Sequence, residues 1–282
     1  MTVAEAIRRA AGRLAGAGVP DPVWDAEALL RHVLGWDRAR IVAEGPAPLA
    51  PEAEERFLAL VAERSRRRPL QHLLGAQHFW RHEFKVTPDV LVPRPETELL
   101  VETAVGLLRD LRAPVLVDVG TGSGCIALSL ASERADAVVH AVDLSEAALD
   151  VARENARRLS LEGRVRFHLG DLLEPVADLA GRIDLVASNP PYVDPADSLA
   201  PEVRDHDPAL GLFPPGDRFS VYRRLAPQAR RQLRPGGWLV VEIGQGMDAE
   251  TRAICEGAGL SVEKVLPDLQ SIPRAIVARR PI

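Results

Sequence analysis

Val115-Leu116-Val117-Asp118-Val119 runs directly into Gly120-Thr121-Gly122-Ser123-Gly124, and an apolar stretch beginning at Cys125 follows. A short β-branched run bounded by glycines reads as a buried strand, and the glycines let the backbone turn sharply into a helix. Similar runs recur at 138–142, 165–169, 183–187, 238–243 and 276–278, with a helical stretch at 145–159. Strands alternating with helices predict an α/β fold, a parallel sheet covered on both faces.

Upstream of this block the pattern is helical. Thr2 with Glu5 is a capping-box pattern. Asp21-Pro22 places a cap residue before proline at a first helical position, and Leu29, Leu30, Val33 and Leu34 follow at helical spacing. A third helical run follows Pro51 and ends in Arg64-Ser65-Arg66-Arg67-Arg68. Those arginines read either as cations complementing a helix C-terminus or as a contact for RNA or a ribosome-bound partner. Segments 77–80 and 83–86 are expected to pair as a hairpin. The expected organisation is a helical domain over 1–72, a linker with the hairpin over 73–94, and the α/β domain over 95–282.

The 282 residues suit one large domain or two. Apolar residues at 46% and charged residues at 27% exclude disorder over most of the length. Two cysteines without CxxC spacing, Cys125 and Cys255, signal neither a zinc site nor a disulfide, which suits a reducing cytoplasm. No metal site is expected. The N-terminus does not read as a signal peptide, and no apolar run is long enough to span a membrane. A net charge of -5 argues against binding nucleic acid by bulk electrostatics.

Chemistry concentrates at two places. In a doubly wound sheet, ligands sit at the carboxyl ends of the strands. Asp143 ends the second strand about 20 residues after the glycine loop, where an acidic side chain can bind both ribose hydroxyls. Loop and Asp143 together point to an adenosine-type ligand, against the alternative of a structural strand–helix turn. Asp118 is expected either to hold the loop or to meet a ligand ammonium group. The second place is Asn189-Pro190-Pro191-Tyr192, directly after the 183–188 run. Two prolines stiffen this backbone and leave the Pro190 carbonyl without a competing local N–H. The Asn189 side-chain oxygen and the Pro190 carbonyl are two acceptors suited to a planar NH2 group, and Tyr192 offers a flat apolar face. An amide or aromatic amine nitrogen is a poor nucleophile, and positioning is the main lever on its reaction.

These motifs resemble class I S-adenosylmethionine-dependent methyltransferases carrying Asn-Pro-Pro-Tyr, and specifically the peptide-chain release factor glutamine methyltransferases. Four segments carry the likeness: Pro93-Arg94-Pro95-Glu96-Thr97-Glu98, Asp118 to Gly124, Ser188 to Tyr192, and Glu242-Ile243-Gly244. The first discriminates, because Asn-Pro-Pro-Tyr alone is shared with adenine-N6 methyltransferases, which stand as the alternative. The resemblance implies a Rossmann-like methyltransferase sheet behind a small helical substrate-recognition domain. It implies that Gly120, Thr121, Gly122, Ser123, Gly124, Asp143, Leu172 and Asn189 bind S-adenosylmethionine. It further implies that Asn189, Pro190, Pro191 and Tyr192 clamp the substrate, with Asn189, Pro190 and Tyr192 catalytic. That substrate is the glutamine of the Gly-Gly-Gln motif in class 1 release factors, whose N5 methylation modulates translation termination. A protein substrate, no nucleic-acid substrate, no membrane and a monomer are the expected associations. On residue type alone, Glu96 and Glu98 after Pro95 read as helix-start chemistry, and Glu242 as a strand-end carboxylate. One segment departs from the family: Pro214-Pro215-Gly216-Asp217-Arg218-Phe219 stands where members carry Gly-Gly-x-Asp-Gly-Leu. The loop 193–216, with Glu202, Asp205 and Asp207, is expected to wall the peptide.

Overall fold

The chain divides into two units, one of Met1–Ala76 with Leu199–His206, the other of Gln77–Ser198 with Asp207–Ile282. The structure, a computed structural model, describes all of residues 1–282.

In the first unit the expected helices form as α1 (Val3–Gly16), α2 (Pro22–Leu34) and α4 (Pro51–Ser65), with α3 (Arg38–Ala43) and α5 (Leu70–Leu74) added. The last two are too short to show apolar periodicity, and the sequence gives them away only through caps such as Asp37, which accepts from the Arg40 N–H at 2.8 Å. At α1 the capping box forms in both directions, Glu5 N–H to Thr2 Oγ1 at 3.2 Å and Thr2 N–H to Glu5 Oε2 at 2.9 Å. At α2 Pro22 takes the first turn, but the Asp21 side chain makes no cap bond. Leu14, Leu29, Leu30, Phe57 and Val61 close the core of this unit.

Arg64 stands in the last turn of α4, as expected of a cation at a helix C-terminus, and is also committed to buried ion pairs. Arg64 is 5% exposed. It donates to Asp25 Oδ2 at 2.7 Å, to Glu202 Oε1 at 2.9 Å and to the Arg68 carbonyl at 3.1 Å. Arg67 grips both oxygens of the same Glu202, at 2.7 and 2.6 Å. Glu202 arrives on the short helix Pro201–His206, so this part of the loop after Asn-Pro-Pro-Tyr belongs to the helical unit. Its carboxylate answers arginines there.

From the boundary at Ala76 runs a two-stranded sheet of β1 (Ala76–Phe79) and β2 (His82–Lys85), one residue earlier than the sequence predicts. Then follow α6 (Glu98–Leu107), β3 (Val115–Val119), α7 (Cys125–Glu133), β4 (Val138–Asp143), α8 (Glu146–Arg158), β5 (Val165–Leu169), β6 (Ile183–Ser188), α9 (Ser220–Gln232), β7 (Leu233–Glu242), α10 (Asp248–Gly257), β8 (Ser261–Pro267) and β9 (Pro273–Arg279). Seven strands form one sheet in the order β5-β4-β3-β6-β7-β9-β8. The first five run parallel, but β9 is antiparallel to β7 and β8 antiparallel to β9, so the sheet is mixed where a parallel one was expected. The edge strand β8 escaped the sequence reading because Ser261, Glu263 and Lys264 dilute its apolar residues, as on many protected edges.

Residues along β3 alternate between two cores. Leu116 packs with Leu100, Ile126 and Leu128 on one face, while Val117 and Val119 pack with Val186, Tyr222 and Leu225 on the other. Val119 stands opposite Val142 on β4 and Ser188 on β6. The three strands therefore end level, and Gly120, Asp143 and Asn189 emerge side by side on one rim.

Outside that rim, His140 on β4 and His168 on β5 stack with ring centroids 5.1 Å apart and nitrogens 2.9 Å apart. Burial, reinforced by His168 and Arg166, pushes His140 down from 6.5 to about 4. Its folded form therefore binds fewer protons than its unfolded form below 6.5. Stability from this site is whole above that pH and is lost as pH falls toward about 4. His140→Gln is expected to flatten that acid limb. Urea denaturation across the range checks it, and an unchanged limb would contradict it.

Candidate active site

The loop after β3 is built by backbone. Gly120 and Thr121 N–H groups donate to the Val142 carbonyl at 2.9 and 3.0 Å, which lashes the turn to β4. Gly122 has φ of 55°, and a Cβ there would meet nothing within 4 Å, so the loop turns bare backbone toward open space. That conformation and that access together call for glycine.

Asp118 is 1% exposed and does not line the cavity described below. Its Oδ2 accepts from Thr121 Oγ1 at 2.6 Å and from the Ala127 N–H at 3.1 Å, so it holds the loop against the start of α7. Burial pushes its carboxyl up to about 7. Asp143 ties two turns. Its oxygens accept from the Gly122 N–H at 2.8 Å and the Ser145 N–H at 2.9 Å, while burial raises its pKa. An ionised carboxylate offers about four acceptor sites, more than these backbone bonds use.

Asn155 on α8 was not anticipated. It is fully buried, accepts from the Lys85 N–H at 2.7 Å, and donates to the Lys85 carbonyl at 3.0 Å and the Ser123 carbonyl at 2.9 Å. One side chain thus braces the hairpin and the glycine loop. Its only sequence signal was an asparagine on the apolar side of an amphipathic helix.

A cavity of about 400 Å3 opens over the rim. It is bordered by Gly120–Ser123, Asp143–Ser145, Gly170–Leu172, Asn189–Pro191, Pro208, Leu210 and Phe213–Pro215. Its size and mostly apolar lining suit a nucleoside-sized ligand with a second small group beside it. Leu144 and Leu172 are among its apolar lining residues. The predicted residues Gly120, Thr121, Gly122, Ser123, Asp143, Leu172, Asn189, Pro190 and Pro191 all border this space, and Gly124 lies just behind the loop.

The acidic residues of the 193–216 loop do not wall it. Glu202 answers Arg64 and Arg67, Asp205 pairs with Arg204, and Asp207 with Arg94. The wall is apolar and comes from the residues after them.

Tyr192, expected to share the clamp, is not among the residues that border the cavity. Its ring lies against Gly244, where an added Cβ would come within 3.0 Å of it. Its hydroxyl donates to Glu242 Oε1 at 3.1 Å. Glu242, 2% exposed, also accepts from Thr97 Oγ1 at 2.6 Å through Oε2. Asn189 in turn donates through Nδ2 to Thr97 Oγ1 at 3.2 Å. Three segments far apart in sequence thus join in one hydrogen-bonded chain. The helix-start reading of 95–98 accounts for Pro95 but not for Glu98, which accepts from the Trp80 N–H at 2.7 Å, nor for Thr97, which a 3₁₀ turn (Pro95–Thr97) buries against Glu242. With its nitrogen turned to Thr97, the Asn189 carboxamide has its oxygen left for a ligand. No three His, Cys, Asp or Glu side chains come together in a group able to hold a metal ion.

Two family models match the chain: a PrmC N-terminal domain over residues 5–75 and a methyltransferase domain over residues 112–264. Among curated relatives, a release factor glutamine methyltransferase of Cereibacter sphaeroides is 45% identical over 100% of this chain and 99% of its own. Those of Streptomyces coelicolor (43%, 97% and 96%) and Moorella thermoacetica (42%, 99% and 99%) are similar throughout as well.

Proposed function

The chain belongs to the release factor glutamine methyltransferases, and from that premise we propose that it methylates the side-chain amide nitrogen (N5) of the Gly-Gly-Gln glutamine in class 1 release factors, using S-adenosylmethionine. The observation that carries this reading is the Asn189 carboxamide, held nitrogen-inward by Thr97 beside the Pro190 carbonyl.

The residues present fit the methyl donor. The Asp143 carboxylate offers more acceptor sites than its backbone bonds use and so suits ribose hydroxyls, the Gly122 backbone is uncovered, and Leu144 and Leu172 offer flanks for a base. When bound, S-adenosylmethionine supplies a methyl group on a cationic sulfur.

The rest of the chemistry belongs to the chain. Asn189 Oδ1 and the Pro190 carbonyl accept the two N–H groups of the substrate amide. Two accepted bonds return electron density to nitrogen and fix its direction. Holding reacting atoms at roughly 3–3.5 Å can supply about 7–11 kcal/mol of the barrier. No strong base is needed, because the alkylated nitrogen is acidic and sheds a proton to water. The product keeps one N–H, so one of the two acceptors loses its partner and the grip weakens after transfer.

Under this reading Asn189, Pro190 and Tyr192 form the catalytic group, Pro191 completes the clamp, and residues 1–72 recognise the release factor, with 73–94 as linker. The same reading carries a cytoplasmic location, action as a monomer and no nucleic-acid substrate. No helix is long and apolar enough to cross a membrane.

Purified release factor incubated with labelled S-adenosylmethionine tests the function. Peptide mass spectrometry is expected to find one methyl on the motif glutamine and none after its replacement by alanine. Label entering the altered factor, or nucleic acid in preference to protein, would contradict the proposal. Asp143→Ala is expected to weaken S-adenosylhomocysteine binding by about tenfold to a hundredfold, since it removes acceptors for two hydroxyls and frees Gly122. Calorimetry reads this directly, and an unchanged dissociation constant would count against the ribose role.

A further inference from the structure

We propose that Thr97 is a positioning residue for the reaction: its hydroxyl, committed as donor to the buried Glu242 carboxylate, shows Asn189 only lone pairs and so fixes the Asn189 oxygen toward the substrate nitrogen. The inference rests on the reading of the cavity as a glutamine amide site.

An asparagine carboxamide is nearly symmetric in shape, and a half-turn exchanges two donors for an acceptor. Turned the wrong way, it would present N–H groups to the N–H groups of the substrate. Something must select one orientation. Thr97 Oγ1 has a single proton, and at 2.6 Å from Glu242 Oε2 that proton lies on the Glu242 side. Thr97 can then only accept from Asn189, and the 3.2 Å contact is to Nδ2. Glu242 is held in turn by the Tyr192 hydroxyl at 3.1 Å, while Tyr222 donates to its backbone carbonyl at 2.7 Å. The direction of the Thr97 and Tyr192 hydroxyl donors, and through Thr97 that of Asn189, follows from the Glu242 charge.

That makes the selection sensitive to protons. A protonated Glu242 can donate to Thr97, which releases the Thr97 proton toward Asn189 and permits the flipped amide. Burial pushes Glu242 up to about 7, within reach of an assay. The groups facing it are Tyr192, Tyr222, Arg274, Glu96 and Cys125. Burial raises both phenols and pushes the thiol to about 12, and Arg274 stays a cation, so none of these four changes charge near neutrality.

The test uses the full chain and a Gly-Gly-Gln peptide. Methylation rate is measured against pH for wild type, Thr97→Val, Thr97→Ser and Glu242→Gln, with calorimetry on S-adenosylhomocysteine and on the peptide. Thr97→Val is expected to lower kcat by about tenfold to a hundredfold, since the Asn189 N–H group loses its buried acceptor. Thr97→Ser, which keeps the hydroxyl, restores most of that loss. Wild type is expected to show an acid limb near neutrality that Thr97→Val and Glu242→Gln both lose, while S-adenosylhomocysteine affinity stays within about threefold. Because Glu242→Gln keeps shape, it reads the proposal even if Thr97→Val folds poorly. A folded Thr97→Val within twofold of wild type would overturn the positioning role. So would a Glu242→Gln enzyme with the wild-type limb. Wild type that leaves the peptide unmethylated would remove the functional reading and this role with it.

Discussion

Asn189→Ala is expected to lower kcat on a Gly-Gly-Gln peptide by about a hundredfold to a thousandfold, the range found when one preorganised hydrogen-bonding group is deleted from an active site. The substitution removes one of two acceptors and with it the direction of the nitrogen. The Pro190 carbonyl alone leaves the amide free to swing about one bond. The backbone cradle of Gly120–Gly124 and Asp143 is untouched, so S-adenosylhomocysteine affinity should change by less than about tenfold. The expected loss exceeds that of Thr97→Val, because a misoriented acceptor can still be drawn back by the substrate and an absent one cannot. Single-turnover methylation at saturating peptide, with calorimetry on the same preparation, checks both halves. A collapse of cofactor binding with an intact rate at saturation would place Asn189 in the cofactor pocket instead.

The second large effect concerns stability. Arg64→Ala is expected to destabilise the protein by about 3–5 kcal/mol, the cost of breaking a buried ion pair from one side. Asp25 would keep a buried carboxylate without the guanidinium 2.7 Å away, whereas Glu202 would keep Arg67. Desolvation already raises the Asp25 pKa against the pull of Arg64. Removing Arg64 raises it further. A raised folded pKa costs stability above the unfolded value, and the cost fades as pH falls through the folded one. The deficit of the variant should therefore narrow on mild acidification. Urea denaturation at neutral and mildly acid pH measures it, and a deficit below 1 kcal/mol, or one that widens with acid, would contradict the account. Arg64→Met tests the same point with less lost packing.

The parts of the molecule legible in sequence were those set by local rules. The β3 strand and its glycine loop could be read because buried parallel strands are short apolar runs and positive φ selects glycine. Asp143 and Asn189 could be placed because strand ends share a rim in this topology. What escaped depended on contacts between distant segments. Thr97 looked like part of a helix start, and only the fold brings it to Glu242 and Asn189. The run Arg64 to Arg68 reads as helix C-terminal cations or an RNA or partner contact, because nothing local announces that Glu202, 138 residues away, will meet Arg64. Asp143 shows a subtler limit. Its position was legible, but not that two backbone N–H groups would already occupy part of its carboxylate. The reversal at β9 was hidden too, since an apolar run carries no sign of its direction.

Under the proposed function, one asparagine oxygen and one proline carbonyl hold the substrate amide. The most direct measurement is a crystal structure of the protein with S-adenosylhomocysteine and a Gly-Gly-Gln peptide. The glutamine nitrogen is expected at about 3 Å from both Asn189 Oδ1 and the Pro190 carbonyl, with Asn189 Nδ2 still on Thr97. A glutamine side chain seated elsewhere, or an Asn189 oxygen turned to Thr97, would contradict it.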